Sequence, residues 1–318
     1  LATNMRIIAP FIGLLIFTYA VLKQKPKILL WFIPTALISF VTLYITWPYL
    51  WDAPVENLLG VLKRMSNNPT TLRVLFEGEL IRAYELPRYY LPRLMEITLT
   101  EPVWPLFFYG LIVAGARLLK RKLEWQSFSL VLFWFFFMVT YVLVIRPPMY
   151  DGFRHFLFIL PPVFITIGLA FDAIFKWMQD NALRIGVLGV VIIPALLPLY
   201  QLHPYQYTYY NNLIGGTWGA ELTYETDYWL TCYKDAVEEF NQLMPEETTL
   251  HVYRENANAA YYAAENIHVV DAQNLKKGDY ILIASRLNEV NTIYRGSPSV
   301  IIVERDGATF CAIKKVKE

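Results

Sequence analysis

Residues 28–50 read ILLWFIPTALISFVTLYITWPYL, with no charged side chain anywhere in the run. A helix that long spans the roughly 30 Å hydrocarbon core of a bilayer, and lipid admits only backbone that satisfies its own hydrogen bonds. Five further runs, at residues 7–22, 102–119, 128–145, 156–177 and 185–202, are apolar over similar lengths. Asp172 stands near the end of the fifth expected span, where it belongs at an interface. Pro161, Pro162, Pro194 and Pro198 lie inside spans, where neighbouring helices re-satisfy the backbone groups they free.

Composition agrees with that reading. Of 318 residues, 56% are apolar and 17% charged, and the mean hydropathy is +0.34. A disordered chain is excluded and an ordinary soluble domain is disfavoured. The net charge of +1 offers no electrostatic case for nucleic acid. The chain begins with Leu1, and no basic segment or cleavage site frames the first apolar run, so it reads as a piece of a longer protein.

Lys and Arg in short loops set the expected orientation. Lys23, Lys25 and Lys27 fill the first link, Arg117, Lys120, Arg121 and Lys122 the third, and Lys176 and Arg184 the fifth. These are expected in the cytoplasm. Residues 52–101, the link at 146–155 and everything after His203 are then expected outside. Within 52–101, apolar and aromatic residues suggest a segment on the bilayer surface or against the bundle. The expected architecture is an α-helical polytopic membrane bundle at residues 1–203, with about six spans, followed by a small extracytoplasmic α/β domain at 204–318.

In that tail, residues 233–244 (YKDAVEEFNQLM) have helical spacing and 257–265 suggest a short helix. Residues 248–253, 280–284, 300–303 and 309–314 read as strands, with Asp306–Gly307 as a hairpin turn. Alternating strands and helices predict a partly parallel sheet. Cys232 and Cys311 are expected as two separate buried thiols, with a disulfide left open.

Nucleotide-loop, nucleophile-elbow, zinc-protease and paired-Cys motifs are absent, and the four His show no ligand spacing. No metal site and no cofactor are expected. The cluster that carries chemistry is RPPMYDGFRH, with Arg146, Tyr150, Asp151, Arg154 and His155 in one short outward link. Cations at an outer boundary run against the charge rule. An anionic lipid phosphate would explain them, since guanidinium binds phosphate through paired charge-assisted bonds. An Arg–Asp pair closing a tight link explains them equally. HPYQYTYYNNLIGG, at 203–216, either holds a sugar or lipid head or pins the tail to the bilayer. Glu221, Glu225 and Asp227 could do acid–base work but read first as a solvated face, and Glu77 and Glu79 carry the same ambiguity.

Together YDGFRHFLFILPP, HPYQYTYYNNLIGG, LPRYYLPRLMEITLTEPVWPL and the multi-span pattern resemble the C-terminal part of bacterial integral-membrane glycosyltransferases of the family-39, protein O-mannosyltransferase-like group. The resemblance implies a GT-C fold in the plasma (inner) membrane. It implies transfer from a polyprenyl-phosphate sugar to an extracytoplasmic glycan, lipid or protein acceptor, with Arg154 and His155 on the donor phosphate. In such enzymes an acidic residue in the first outward loop serves as base. That loop precedes the first span here, so no residue of this chain inherits the role. The alternative is a non-catalytic membrane scaffold with a membrane-protein partner, and a flippase or transporter is a weaker third.

Overall fold

The computed structural model describes residues 11–66 and 70–317. Its longer helices are α1 (Phe11–Leu22), α2 (Phe32–Thr46), α3 (Pro54–Ser66), α4 (Tyr90–Thr98), α5 (Val103–Leu119), α6 (Trp125–Ile145), α7 (Leu160–Trp177), α8 (Asn181–Gln201) and α9 (Cys232–Leu243). Strands β1 (Arg73–Phe76) and β2 (Glu79–Arg82) form a hairpin. Strands β3 (Thr248–Val252), β4 (Ile267–Asp271), β5 (Tyr280–Ala284), β6 (Ser299–Arg305) and β7 (Ala308–Lys315) form a second sheet.

Among the described residues, four helical stretches are long and apolar enough to cross a membrane: Lys27–Thr46, Trp125–Ile145, Arg154–Trp177 and Asn181–Gln201. This is fewer than the six expected. A 105° bend separates α4 from the apolar α5, so those two count as one crossing only if the bent pair spans together. The bend falls at Thr100–Pro102, where proline disfavours helix in the residue before it. The first expected span begins at residue 7, outside the described residues, and α1 alone is 12 residues long.

The chain packs as two units. The first contains residues 1–70, 105–148 and 155–177; the second contains 71–104, 149–154 and 178–318. In the first, α5 and α7 meet at Gly110. A Cβ there would lie 2.2 Å from the Thr166 carbonyl oxygen, so only glycine lets the two backbones approach. Arg117 and Lys176 both bond Asp172, placing the one acidic residue of that expected span in an ionic group at its end.

The second unit holds the five-stranded sheet in the order β4-β3-β5-β7-β6. β3 runs parallel to β4 and β5, while β7 runs antiparallel to β5 and β6. The expected mixed sheet is present, and β4 is an addition to the strands read from sequence. Its burial alternates poorly along IHVVD, because it lies at the edge. Leu282 and Ala284 face one core with Ala236, Val237 and Phe240 of α9, and Ile281 and Ile283 face the other with Val290. Asp306 and Gly307 both take positive φ, as the two-residue hairpin between β6 and β7 requires.

Cys232 and Cys311 are joined as a disulfide, which corrects the expectation of separate thiols. Spacing could not reveal it. The helix start and the middle of β7 meet only after α9 packs on the sheet.

Candidate functional site

The link between α6 and α7 turns at Asp151 and Gly152, both with positive φ. Asp151 belongs to the second unit and is only 4% exposed. One carboxylate oxygen accepts from Arg154 Nη2 at 2.7 Å and the other from Arg286 Nη2 at 3.0 Å. Arg286, just after β5, also donates from Nη1 to the Tyr228 carbonyl at 2.8 Å. Arg154 lies over aromatic rings, 5.3 Å from Trp229, 5.8 Å from Tyr150 and 6.0 Å from Tyr228. Such cation–π contacts hold a guanidinium without neutralising it. Its Nε is buried and has no hydrogen-bond partner.

Beside this group lies Glu225. It is 6% exposed, and neither carboxylate oxygen meets a hydrogen-bond partner of good geometry. Burial, followed by the charge of Asp151, pushes its pKa up to about 8. Arg286, the Asp151 amide and Arg154 oppose that rise without cancelling it. Burial also raises the Asp151 carboxyl, against the pull of Arg286 and Arg154. At neutral pH the group therefore holds two guanidiniums, one carboxylate and one neutral acid. Its formal charge is +1.

Tyr90 and Tyr210 lie near the Glu225 carboxyl, Tyr90 also near that of Asp151, and burial drives both phenols far above their ordinary range. Tyr210 donates its hydroxyl to the Glu225 carbonyl at 2.7 Å. This fixes the backbone that presents the acid.

Tyr150, Asp151 and Arg154 are thus brought together as the sequence suggested, and the Arg–Asp pairing weighed there is present. Arg146 is elsewhere: it caps α6 in a left-handed conformation and is exposed. It falls in the first unit, as does His155. Glu225 and Asp227 correct the expectation of a solvated face, since both are buried. Asp227 accepts from the amides of Thr231 and Cys232, at 3.0 and 2.8 Å, and from the Tyr207 hydroxyl, so it caps the entry to α9. Glu221 stays half-buried near Asn291. Arg286, Tyr228 and Trp229 were missed in sequence. Nothing in ASRLN or TDYWL marks a charge partner for a link more than seventy residues away.

The 203–216 tract is a clasp. Buried Asn211 donates from Nδ2 to the Glu96 and Leu99 carbonyls at 2.7 and 2.8 Å, satisfying the end of α4. Asn212 bonds Glu101 through its amide and side chain. Tyr205 donates to Asp235. Gly216 leaves room for Asp306, whose carboxylate oxygen would lie 2.8 Å from a Cβ there.

No protein-family model, curated protein or solved structure matches this chain. Among the described residues no group of three or more His, Cys, Asp or Glu could hold a metal ion.

Proposed function

We propose that this chain is part of a membrane glycosyltransferase that uses a polyprenyl-phosphate sugar and transfers its sugar on the extracytoplasmic side. The observation carrying this reading is the cationic group formed by Arg154, Arg286 and Asp151, which keeps the buried Arg154 Nε without an acceptor. It opens the Arg154–Trp177 stretch, a helix apolar enough to cross a bilayer. An anionic lipid headgroup is the chemistry such a group suits.

As the sugar departs, charge grows on the leaving phosphate. A guanidinium already held in place stabilises that growing charge more than the ground state, which turns binding into rate. Tyr150, Tyr228 and Trp229 keep the Arg154 plane fixed while leaving its charge in force. The acceptor, a glycan, lipid or protein, and the catalytic base are not assigned to residues of this chain.

The non-catalytic scaffold is the second reading. It is favoured by Asp151, which already gives both oxygens to the two guanidiniums.

The test is sugar transfer by the full-length protein in liposomes, supplied with candidate polyprenyl-phosphate sugars. Arg154→Ala is expected to lower transfer by about a hundredfold or more, in the range seen for lost transition-state donors. Arg154→Lys keeps the charge and is expected to recover only part. Equal transfer by wild type and Arg154→Ala, at equal expression, removes Arg154 from the donor site; no transfer by the wild type rejects the reading in favour of the scaffold.

A further inference from the structure

We propose that the phosphate group and a proton are taken up together at this site: Arg154 and Arg286 hold one anionic phosphate while Glu225 stands as the neutral acid. The inference rests on the donor-phosphate reading above and deepens it by assigning Glu225 as a binding residue that sets the charge of the site.

Two orphaned buried groups sit in one cluster. Arg154 Nε is a donor without an acceptor, and Glu225 presents two oxygens without a partner of good geometry. A phosphate supplies acceptor oxygens for both, to the guanidinium and to a protonated carboxyl. An ionised Glu225 does the opposite. It is acceptor-only, so it repels the phosphate and offers it no hydrogen.

The charge count decides the direction. Arg154, Arg286 and Asp151 sum to +1, and Glu225 adds nothing as an acid or one negative charge as a carboxylate. The cluster is therefore cationic in the first state and neutral in the second. The groups facing Glu225 are Asp151 and Arg154 from the link, Arg286 after β5, Tyr90 of α4, and Tyr210 and Tyr228 from its own segment. Burial lifts the tyrosines, Tyr228 to about 12, so they stay neutral through the working range. Glu225, pushed up to about 8 first by burial and then by Asp151, is the one of these groups that changes charge near neutrality.

The linkage sign follows. A bound phosphate is another negative charge beside Glu225 and raises its pKa further. Affinity is then full below about pH 8 and falls as pH rises through it, while each binding event above that pH draws a proton from water onto the Glu225 carboxyl.

The probe is a polyprenyl methyl phosphate, a diester whose single charge does not change over this range. Binding to the full chain in detergent micelles is measured by calorimetry at pH 7 and pH 9, and in buffers of different ionisation enthalpy at pH 8.5. A free pKa near 8 predicts about tenfold weaker binding at pH 9 than at pH 7, and uptake of about 0.8 proton per phosphate at pH 8.5. Glu225→Gln is expected to bind with little pH dependence and no uptake. Should that variant fail to fold, the wild-type proton count and pH slope decide alone. Wild-type binding that is flat with pH and takes up no proton overturns the inference and leaves the phosphate reading standing. Equal uptake by wild type and Glu225→Gln overturns it too. No wild-type binding at either pH removes the phosphate reading, and this inference with it.

Discussion

Asp151→Asn removes the carboxylate that bonds both guanidiniums while keeping its shape. Deleting one member of a buried ion pair costs roughly 3–5 kcal/mol, because the partner is left charged and unpaired. Here the side chains of Arg154 and Arg286 keep 27% and 17% of their exposure, and Arg286 keeps its bond to the Tyr228 carbonyl. Solvent and that bond reduce the loss to about 2–3 kcal/mol. Glu225 reduces it again. The charge of Asp151 is the second cause, after burial, that holds Glu225 protonated. Without it, and beside two unpaired guanidiniums, Glu225 ionises at neutral pH and becomes the replacement counter-charge. Asp151→Asn is therefore expected to be milder alone than in a Glu225→Gln background, with a coupling of about 1–2 kcal/mol. A double-mutant cycle of four proteins, unfolded by denaturant in detergent at pH 7, measures it. Additivity within about 0.5 kcal/mol would refute the idea that the two acids share one pair of cations.

Three more expectations concern the rest of the chain. The Glu225 pKa is raised on folding, so its contribution to stability is full below about pH 4.5 and is lost as pH rises towards 8, at up to about 1.4 kcal/mol per unit. Glu225→Gln should flatten that slope in denaturation curves taken between pH 5 and 8, and an unchanged slope would assign it to other groups. The disulfide closes a loop across a sequence separation of 79 residues, so Cys232→Ser with Cys311→Ser should lose about 2–4 kcal/mol, read as a lower melting temperature that reductant reproduces in the wild type. In α3, Val55, Leu59 and Leu62 are 60%, 59% and 41% exposed and share one helical face, with Asn57 and Arg64 on the opposite one. Spin labels at Leu62 and Arg64 of the protein in vesicles should differ. Oxygen should reach the first and a water-soluble nickel chelate the second; equal accessibility at both would place α3 away from the bilayer surface.

How much of this was open to sequence reading varies by element. The strand at 248–253 and the helix at 233–244 were legible because burial on one side imposes a period, and the strand at 280–284 because burial on both faces leaves a continuous apolar run. The Asp306–Gly307 hairpin was legible because its backbone needs two residues tolerant of positive φ. The first edge strand, β4, was not: an edge position leaves its faces half open, so its pattern is weak. The six expected spans were met only in part. Apolar runs announce lipid or core alike: four described stretches are long and apolar enough to cross a membrane, the first expected span begins outside the described residues, and α5, at the expected span 102–119, is 17 residues long.

By itself the sequence determined that apolar helices long enough for a bilayer precede a small mixed sheet, and that Arg154 and Asp151 share a short link. Those are local properties, set by composition, spacing and turn chemistry over a few residues. Only the tertiary structure decided that Asp151 also holds Arg286, that Glu225 lies buried among them, and that Cys232 meets Cys311. An acid reads the same on a solvated face or in a dry pocket. What separates the two is desolvation and the charges nearby, and these are supplied by residues distant in sequence.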